Sequence, residues 1–316
     1  MARIVYIGAP EADAHSFREL VARDFPDIDL YATDERESAF EHVDDCEALI
    51  GHHFQFDQRL LSRAPKLRWI QSLTTGTDAI LKIPALRREV LVTSTRGIHG
   101  PQMSELVFLA MLSMTRDYPR MLRNQQNRVW QRWPQPLLLD KTAVIVGAGA
   151  IAESLAPRCK SFGMTVLGVD SNPRVIEGFD HVHPREELIP VAARADYLIL
   201  IVPHTAETEN MIDGQVLAAL KPSAFLINVA RGGVLDEAAL MAALSSGRLA
   251  GAALDVFRET PLPEHSALWS QPRLMITPLI GGMSNVYLRQ CYPVVRANLG
   301  EFLAGRPAGL KNIVEH

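Results

Sequence analysis

Residues 143–156, AVIVGAGAIAESLA, constrain the fold of this chain more than any other segment. An apolar strand leads directly into the pattern G-x-G-x-x-A at Gly147, Gly149 and Ala152, and a helix-like segment follows. In such a turn the first glycine permits a tight bend, the second lets a pyrophosphate approach the backbone, and the small third residue lets the helix pack on the strand. The pattern therefore predicts a βαβ unit whose helix N-terminus binds phosphate.

An acidic residue, Asp170, ends the next predicted strand, near the spacing of roughly 20 residues that this motif requires. A carboxylate there accepts hydrogen bonds from the ribose hydroxyls of a dinucleotide. It would also repel a 2′-phosphate, so NAD is expected rather than NADP, although Arg174 is a possible phosphate partner. The alternative is a glycine turn that binds nothing, with Asp170 as a solvated strand end.

Short runs rich in valine, isoleucine and leucine alternate with stretches of helical period along the whole chain. This alternation is typical of parallel strands that are buried on both faces and joined by helices. The sequence therefore predicts an α/β protein with two doubly wound parallel-sheet domains, a Rossmann dinucleotide-binding domain and a smaller flavodoxin-like domain. The predicted strands are 3–8, 28–32, 48–51, 67–73 and 90–93 in the first sheet, and 143–146, 165–169, 197–202, 224–229, 252–256 and 274–276 in the second.

Two apolar segments are expected to link and complete these domains. Residues 101–115, PQMSELVFLAMLSMT, would form a helix that is apolar nearly all round, which predicts burial between domains or against a second subunit. Residues 284–303 also look helical, and because chain ends often meet, this helix is expected to return to the first domain. The expected domains are residues 1–98 with 286–316, and residues 99–285. The tryptophans are expected in the core or a dimer interface: Trp130, Trp133 and Trp269.

The composition excludes several classes of protein. The 316 residues are 47% hydrophobic and 22% charged, with a net charge of −4, which argues against a nucleic-acid or acidic-membrane partner. No apolar run approaches the roughly 20 residues that cross a bilayer. The three cysteines stand far apart without a metal-binding spacing, so neither a disulfide framework nor a zinc site is expected. We interpret the chain as a cytoplasmic protein with reduced cysteines that acts on a small molecule.

Four further segments carry a family pattern: VPHTAETENMID (202–213), LINVARGGVLDEAALMAAL (226–244), GAALDVFRETPLPEHSALW (251–269) and MITPLIGG (275–282). Together they resemble the NAD-binding domain of the D-isomer-specific 2-hydroxyacid dehydrogenases, and the glyoxylate/hydroxypyruvate reductase branch looks closest. In the first domain, LRWIQSLTTGTDAI (67–80) resembles that family's substrate-binding loop. The resemblance implies an NAD-dependent oxidoreductase of small 2-oxo and 2-hydroxy acids, and a homodimer built around the bridging helix.

The resemblance assigns the active-site arginine to Arg231, just past the strand LINVA. A guanidinium at this position holds the substrate carboxylate while it donates toward the ketone oxygen. The alternative is an exposed loop arginine paired with Asp236 or Glu237.

By the same resemblance, main-chain N–H groups around Thr75, Gly76 and Thr77 hold the other carboxylate oxygen, unless this segment is a plain strand-to-helix turn. The resemblance also implies a set of cofactor contacts: Gly147, Gly149, Ala150, Ile151, Asp170, Pro203, Thr208, Ala230 and Asp255.

The chain departs from the family at the proton relay. The family has a histidine inside T-P-H and a glutamate directly before the proline of D-V-F-x-x-E-P, but Leu279 and Thr260 occupy these positions here. Leucine has no proton to give, and an arginine pKa above about 12 keeps every proton in place, so another group must protonate the alkoxide. The displaced acid, Glu259, either turns away in a salt link with Arg258 or Arg273 or returns to the active site through a shift of the loop.

The predicted replacement donor is a histidine of the first domain, because GHHF (51–54) follows a strand at the carboxyl edge where α/β sheets bind ligands. His52 and His53 point in opposite directions if extended, and His53 is chosen; two surface histidines are the alternative. His99 is a second candidate, with a role at the hinge or helix start as its alternative. His204 is expected to be structural or close to the adenine.

Three functions follow. The first is an NAD-dependent reductase of a small 2-oxo acid with an atypical proton donor. The second is a catalytically weak or inactive NAD-binding sensor or partner-binding protein of the same fold. The third is an enzyme that uses the same scaffold for chemistry needing no proton at that site.

Overall fold

The structure is a computed structural model that describes residues 2–315. The chain forms two compact domains. The first domain comprises the residues up to Ile98 and those from Met283 onward, and the second comprises His99–Gly282. Within the described residues, no helix combines the length and apolar character needed to span a membrane.

A six-stranded sheet forms the centre of the first domain. Alternate residues of its strands pack into two apolar clusters on opposite faces: Ile4 and Tyr6 lie in one, and Val5 and Ile7 in the other. Helices cover both faces, which explains why the strands read as continuous apolar runs. The strands are β1 (Arg3–Ile7), β2 (Asp29–Thr33), β3 (Cys46–Gly51), β4 (Trp69–Ser72), β5 (Leu91–Thr93) and β13 (Ile313–Val314). Their spatial order is β13-β5-β4-β3-β1-β2. The helices are α1 (Ala14–Asp24), α2 (Arg36–Ala39), α3 (Gln58–Ser62), α4 (Asp78–Leu81) and α11 (Tyr287–Leu303).

A buried polar network joins helix α11 to the sheet of the first domain. Asn298 of α11 donates to Gln71 Oε1 of β4 at 2.7 Å, and Thr93 of β5 donates to the same oxygen at 2.9 Å. All three side chains are fully buried, and buried polar groups are stable only when hydrogen-bonded. Helix α11 therefore packs on the sheet of the first domain.

The sequence missed one strand of this sheet. The five predicted strands are present, with ends that differ by at most two residues, but β13 adds a sixth strand, antiparallel to β5. Its two residues are too few to show a period in the sequence.

A seven-stranded parallel sheet forms the centre of the second domain. The strands are β6 (Thr142–Val146), β7 (Thr165–Asp170), β8 (His181–Pro184), β9 (Tyr197–Leu200), β10 (Phe225–Asn228), β11 (Gly251–Leu254) and β12 (Leu274–Ile276). Their spatial order is β12-β11-β10-β9-β6-β7-β8. The chain adds β7 and β8 on one side of β6 and the later strands on the other side, and ligands of open α/β sheets bind at the carboxyl ends of the strands beside such a reversal of strand order. The edge strand β8, sequence HVHP, was not predicted because it is short and polar. The prediction of six strands was therefore wrong by one.

The helices of the second domain are α5 (Gly100–Thr115), α6 (Tyr118–Gln126), α7 (Ala150–Ser161), α8 (Leu188–Ala192), α9 (Gly214–Ala219) and α10 (Glu237–Ser245). Helix α5 is largely buried, as predicted. The packing that the structure shows for it is against α7 of the same domain, where Gly100 leaves no room for a Cβ beside Ser154, and burial between domains or against a second subunit stays a prediction. Its outer side still exposes Leu109 and Leu112. Trp130 is 94% exposed. Of the two places expected for it, the core is thus excluded, because the segment after α6 runs over the surface of the domain, and the dimer interface stays a prediction.

Candidate active site

The glycine turn after β6 has the geometry that its sequence predicts. Gly147 has a φ of 100°, a left-handed conformation that favours glycine, and a Cβ there would lie 3.0 Å from Val202. Among residues 2–315, no heavy atom beyond its immediate chain neighbours lies within 4 Å of the position that a Cβ of Gly149 would take. Helix α7 begins at the next residue, Ala150, with Ile151 half-buried behind it. The turn therefore presents an open backbone surface and the N–H groups of a helix start, which fit a pyrophosphate.

Asp170 is fixed beside this turn at the end of β7. Its Oδ2 accepts a hydrogen bond from the Ala148 N–H at 2.7 Å, and its Oδ1 accepts one from the Asn172 N–H at 2.9 Å. Arg174 donates to the Ala148 carbonyl at 2.8 Å and to Glu153 at 3.1 Å. The acid that would meet a ribose is thus held in place, while the neighbouring arginine is already paired.

Arg231 follows β10 and precedes a short 3-10 turn, Gly232–Val234. Asn228 holds the backbone on both sides: its amide donates to the Arg231 carbonyl at 3.2 Å, and its side-chain oxygen accepts from the Ala230 N–H at 3.0 Å. The guanidinium donates to the Ala230 carbonyl at 2.8 Å, which uses one of five donors.

The arginine makes neither of the ion pairs considered as alternatives. Asp236 caps α10 by accepting from the Ala239 N–H at 3.0 Å, and Glu237 accepts from the Arg258 N–H at 2.7 Å. Across residues 2–315, no carboxylate lies within 4 Å of the Arg231 guanidinium. Arg231 is thus a half-buried cation with a guanidinium that could bind an anionic substrate.

Asp255, after β11, organises the loop that carries the altered T-P-H motif. Its Oδ1 accepts from the Thr277 hydroxyl at 2.6 Å and the Ile280 N–H at 3.0 Å, and its Oδ2 accepts from the Gly281 N–H at 2.9 Å. Leu279, on this loop, has a φ of 57° and a side chain that is half exposed. Histidine populates this left-handed region more readily than most residues with a side chain. The backbone at position 279 thus has a conformation that suits histidine, but the leucine side chain found there has no proton to donate.

Glu259 and Thr260 lie on an exposed loop. The salt link from Glu259 to Arg258 or Arg273 that was considered as an alternative is absent from the described structure. Arg258 instead pairs with Glu209, at 2.7 Å. Glu259 therefore forms an ion pair with neither Arg258 nor Arg273.

In the first domain, the two adjacent histidines do point apart. His52 is 3% exposed, with its Nε2 at 3.6 Å from Glu11, and burial lowers the pKa of its ring, against an opposing effect of Glu11. His53 is half-buried, and its Nδ1 lies 3.2 Å from the Thr74 hydroxyl. The sheet thus brings His53, after β3, to the segment after β4 that was predicted to bind substrate.

The predicted residues, 75–77, form a compact turn together with Thr74. The Thr74 hydroxyl donates to the Gly76 carbonyl at 3.0 Å and lies 2.9 Å from the Ser72 hydroxyl. Thr75 is exposed, and Thr77 is buried at the start of α4. The turn therefore displays Thr75 and part of Gly76 at the carboxyl edge of the sheet.

The remaining predicted residues have mainly internal contacts. The buried Thr208 hydroxyl donates to the Pro203 carbonyl at 2.7 Å, which closes the turn after β9. Ala230 is buried, and His99 is buried at the start of α5. His204 bonds through Nε2 to Glu209. This last pair was not predicted, since the contact depends on the fold of one turn and no spacing rule signals it. No group of three or more metal-binding side chains occurs among the described residues.

Comparisons with known proteins agree with this geometry. Residues 108–281 match the family model described as D-isomer specific 2-hydroxyacid dehydrogenase, NAD binding domain. Glyoxylate/hydroxypyruvate reductase A of Yersinia enterocolitica is 33% identical over 277 residues, which cover 83% of this chain and 85% of that protein.

Two solved structures match nearly the whole chain. A D-isomer specific 2-hydroxyacid dehydrogenase family protein of Aeromonas salmonicida has a TM-score of 0.91 at 35% identity, with 99% of both chains covered. The NADPH-dependent glyoxylate/hydroxypyruvate reductase of Sinorhizobium meliloti, in complex with NADP and sulfate, has a TM-score of 0.84 at 26% identity, with 100% of this chain and 98% of that one covered. The family and fold class expected from the sequence are confirmed, and so is a nicotinamide cofactor. The chain belongs to the D-isomer specific 2-hydroxyacid dehydrogenase family.

Proposed function

We propose that this protein reduces a small 2-oxo acid of the glyoxylate or hydroxypyruvate type with NADH. The observation that carries the proposal is the Arg231 guanidinium, which has no carboxylate partner in the described chain and follows β10 in the same domain as the glycine turn. A 2-oxo acid supplies the carboxylate and the carbonyl oxygen that such a cation binds. Enzymes of the reductase branch are among the chain's relatives.

The chain's own residues account for binding and polarisation. Arg231 holds the substrate carboxylate and donates to the carbonyl oxygen, which stabilises the negative charge that develops there. The N–H groups of Thr75, Gly76 and Thr77 hold the second carboxylate oxygen. A bound reduced nicotinamide supplies the hydride that the carbonyl carbon accepts, and the resulting alkoxide takes up one proton to become the 2-hydroxy acid.

His53 supplies that proton in this proposal. Its contact with Thr74 places it beside the segment that includes Thr75. Leu279 cannot donate, and the ring of His204 is already engaged by Glu209. Glu259 remains a further candidate acid because it pairs with neither Arg258 nor Arg273, although its exposure is better suited to a solvated carboxylate than to a proton donor.

NAD(H) is the form of the cofactor that Asp170 favours. A 2′-phosphate would meet this carboxylate, and Arg174, the nearby cation, is engaged by Glu153 at 3.1 Å. The remaining cofactor contacts proposed are backbone groups at Gly147, Gly149 and Ala150, with a larger set around them: Ile151, Pro203, Thr208, Ala230 and Asp255.

A homodimer is proposed from the exposed apolar side chains of α5, α6 and the segment that follows. Single exposed apolar residues are normal, but residues 109–139 carry a whole series of them. The residues are Leu109, Leu112, Tyr118, Leu122, Val129, Trp130, Leu137 and Leu139.

The cellular location proposed is the cytoplasm, where the three buried thiols, Cys46, Cys159 and Cys291, stay reduced.

Single-turnover kinetics tests the function. Protein with bound NADH is mixed with glyoxylate, hydroxypyruvate and larger 2-oxo acids, and loss of NADH absorbance is followed. We expect oxidation with at least one of these acids, and a loss of about 100-fold or more in Arg231→Gln, as when a charge-stabilising donor is removed. Arg194→Gln, which changes an exposed arginine of the same domain, is the matched control.

The alternative function, an NADH-binding protein without turnover, is motivated by the loss of both relay residues at Leu279 and Thr260, but it is not favoured by the relatives, which are named as reductases and dehydrogenases. Tight NADH binding with no oxidation across the whole panel would support this function and overturn the reductase.

A further inference from the structure

Three loops of the second domain meet around the segment that follows Arg231. Gly232 packs so closely on the Phe257–Arg258 backbone that a Cβ would lie 2.0 Å from the Phe257 carbonyl carbon. On Gly233, a Cβ would lie 2.5 Å from the His204 ring. The two glycines are therefore enclosed by the loops after β9 and β11, and neither position accepts a side chain without displacing a neighbour.

A charged cluster ties these loops together; it consists of His204, Glu209 and Arg258. The Arg258 guanidinium bonds to Glu209 at 2.7 Å and to the Asn210 side chain, and it lies 3.5 Å from the Gly233 carbonyl. The other Glu209 oxygen bonds to His204.

The cluster is reinforced at both ends by backbone contacts. The Asn210 N–H donates to the same Gly233 carbonyl at 2.8 Å, and the Arg258 N–H donates to Glu237 of α10 at 2.7 Å. Hydrogen bonds from Arg258 and His204 hold the pKa of the Glu209 carboxyl below its usual range. Glu209 is therefore a carboxylate at neutral pH when it bonds to the Arg258 guanidinium. An isolated exposed ion pair contributes little stability. Here the Arg258 guanidinium links the loop after β11 to the loop after β9 and also lies against the loop after β10. Ion pairs contribute more to stability when they form part of such a network.

We propose that the His204, Glu209 and Arg258 cluster is a positioning device that fixes the Arg231 loop for binding of the substrate carboxylate. This inference rests on the proposed function of Arg231, which it deepens. The three residues themselves touch neither substrate nor cofactor in the proposal. Their effect passes through Gly232 and Gly233, whose backbone they restrain directly after the arginine.

Two measurements on Arg258→Met test the proposal. Amide hydrogen exchange of a peptide spanning residues 231–235 is expected to become faster, because the guanidinium contact with the loop is lost. For the 2-oxo acid, kcat/KM is expected to fall about tenfold, as when a hydrogen bond to a charged group is removed. The NADH dissociation constant should change less than about twofold, and Arg258→Lys should recover part of the loss.

A matched control and a double variant separate positioning from general stability. Lys160→Met removes a similarly exposed ion pair of the same domain, between Lys160 and Asp180 at 2.9 Å, and should leave exchange of 231–235 and kcat/KM unchanged. In an Arg231→Gln background, Arg258→Met should lower kcat/KM by less than about twofold, because the guanidinium that Arg258 positions is no longer present.

The outcomes distinguish the two ideas. Unchanged exchange of residues 231–235 in Arg258→Met overturns the positioning device, as does a full tenfold loss that persists without Arg231. If Arg231→Gln itself retains activity, the proposed function fails, and the role of the cluster in substrate binding fails with it, whatever the exchange shows.

Discussion

The Asp170 carboxylate accepts a hydrogen bond from the Ala148 N–H at 2.7 Å, so the acid after β7 and the glycine turn after β6 are held as one unit. Asn172 bonds to the second oxygen of the same carboxylate. A dinucleotide that places its pyrophosphate on the turn therefore meets a carboxylate with a fixed position at its ribose.

Cofactor preference should depend on this carboxylate. We expect Asp170→Ser to shift the ratio of kcat/KM for NADPH over NADH upward by about tenfold, equivalent to about 1.4 kcal/mol, because a negative charge is removed from the 2′ position. Adding Glu153→Gln, which removes the ion pair of Arg174, should raise the ratio further. Asp180→Asn is the control, since Asp180 also accepts from a backbone N–H, that of Val166, but near the opposite end of β7. An unchanged ratio in the double variant contradicts the assignment.

A histidine at position 279 should be able to replace His53 as the proton donor. His53→Gln is expected to lower kcat/KM at least about tenfold, the lower part of the range for loss of a general acid. In that background, Leu279→His with Thr260→Glu should restore at least about tenfold of the rate, because it rebuilds the family's pair on a backbone that suits histidine. His15→Gln, at an exposed histidine of the first domain, should leave the rate unchanged. Equal rates for His53→Gln and the parent protein would remove His53 from the mechanism.

The apolar surface that includes Trp130 should govern association. We expect Trp130→Glu to convert a dimer into a monomer at micromolar concentration, because a charge would be buried in the interface. Sedimentation velocity measures the change. Val175→Glu, at a fully exposed position outside that surface, should leave the dimer intact. A parent protein that sediments as a monomer would exclude the proposed dimer.

His52 should make stability depend on pH. Its pKa is lowered in the folded state by burial, so the unfolded chain binds more protons below the ordinary histidine pKa of about 6.5. Stability contributed by the neutral ring is complete above that pH and is lost as the pH falls below it. His52→Gln should flatten the slope of unfolding free energy between about pH 5 and 6.5, by at most about 1.4 kcal/mol per pH unit.

Urea denaturation at several pH values measures that slope. His15→Gln, which changes an exposed histidine, should keep the parent slope. A His52→Gln slope equal to that of the parent would show that the ring does not titrate differently in the two states.

The sequence by itself determined the two sheets, the glycine turn, Asp170 beside it and the loss of the relay at Leu279. These features depend on local periodicity or on residue types at fixed spacing, which the chain displays before it folds. Only the tertiary structure decided that His52 is buried while His53 contacts Thr74, and that Arg258 bonds to Glu209 rather than Glu259. Such contacts join residues up to 49 positions apart, and their distances depend on how separate loops meet at the carboxyl ends of neighbouring strands. The edge strands β8 and β13 also needed the tertiary structure, because pairing with a neighbouring strand, and not local composition, makes so short a segment a strand.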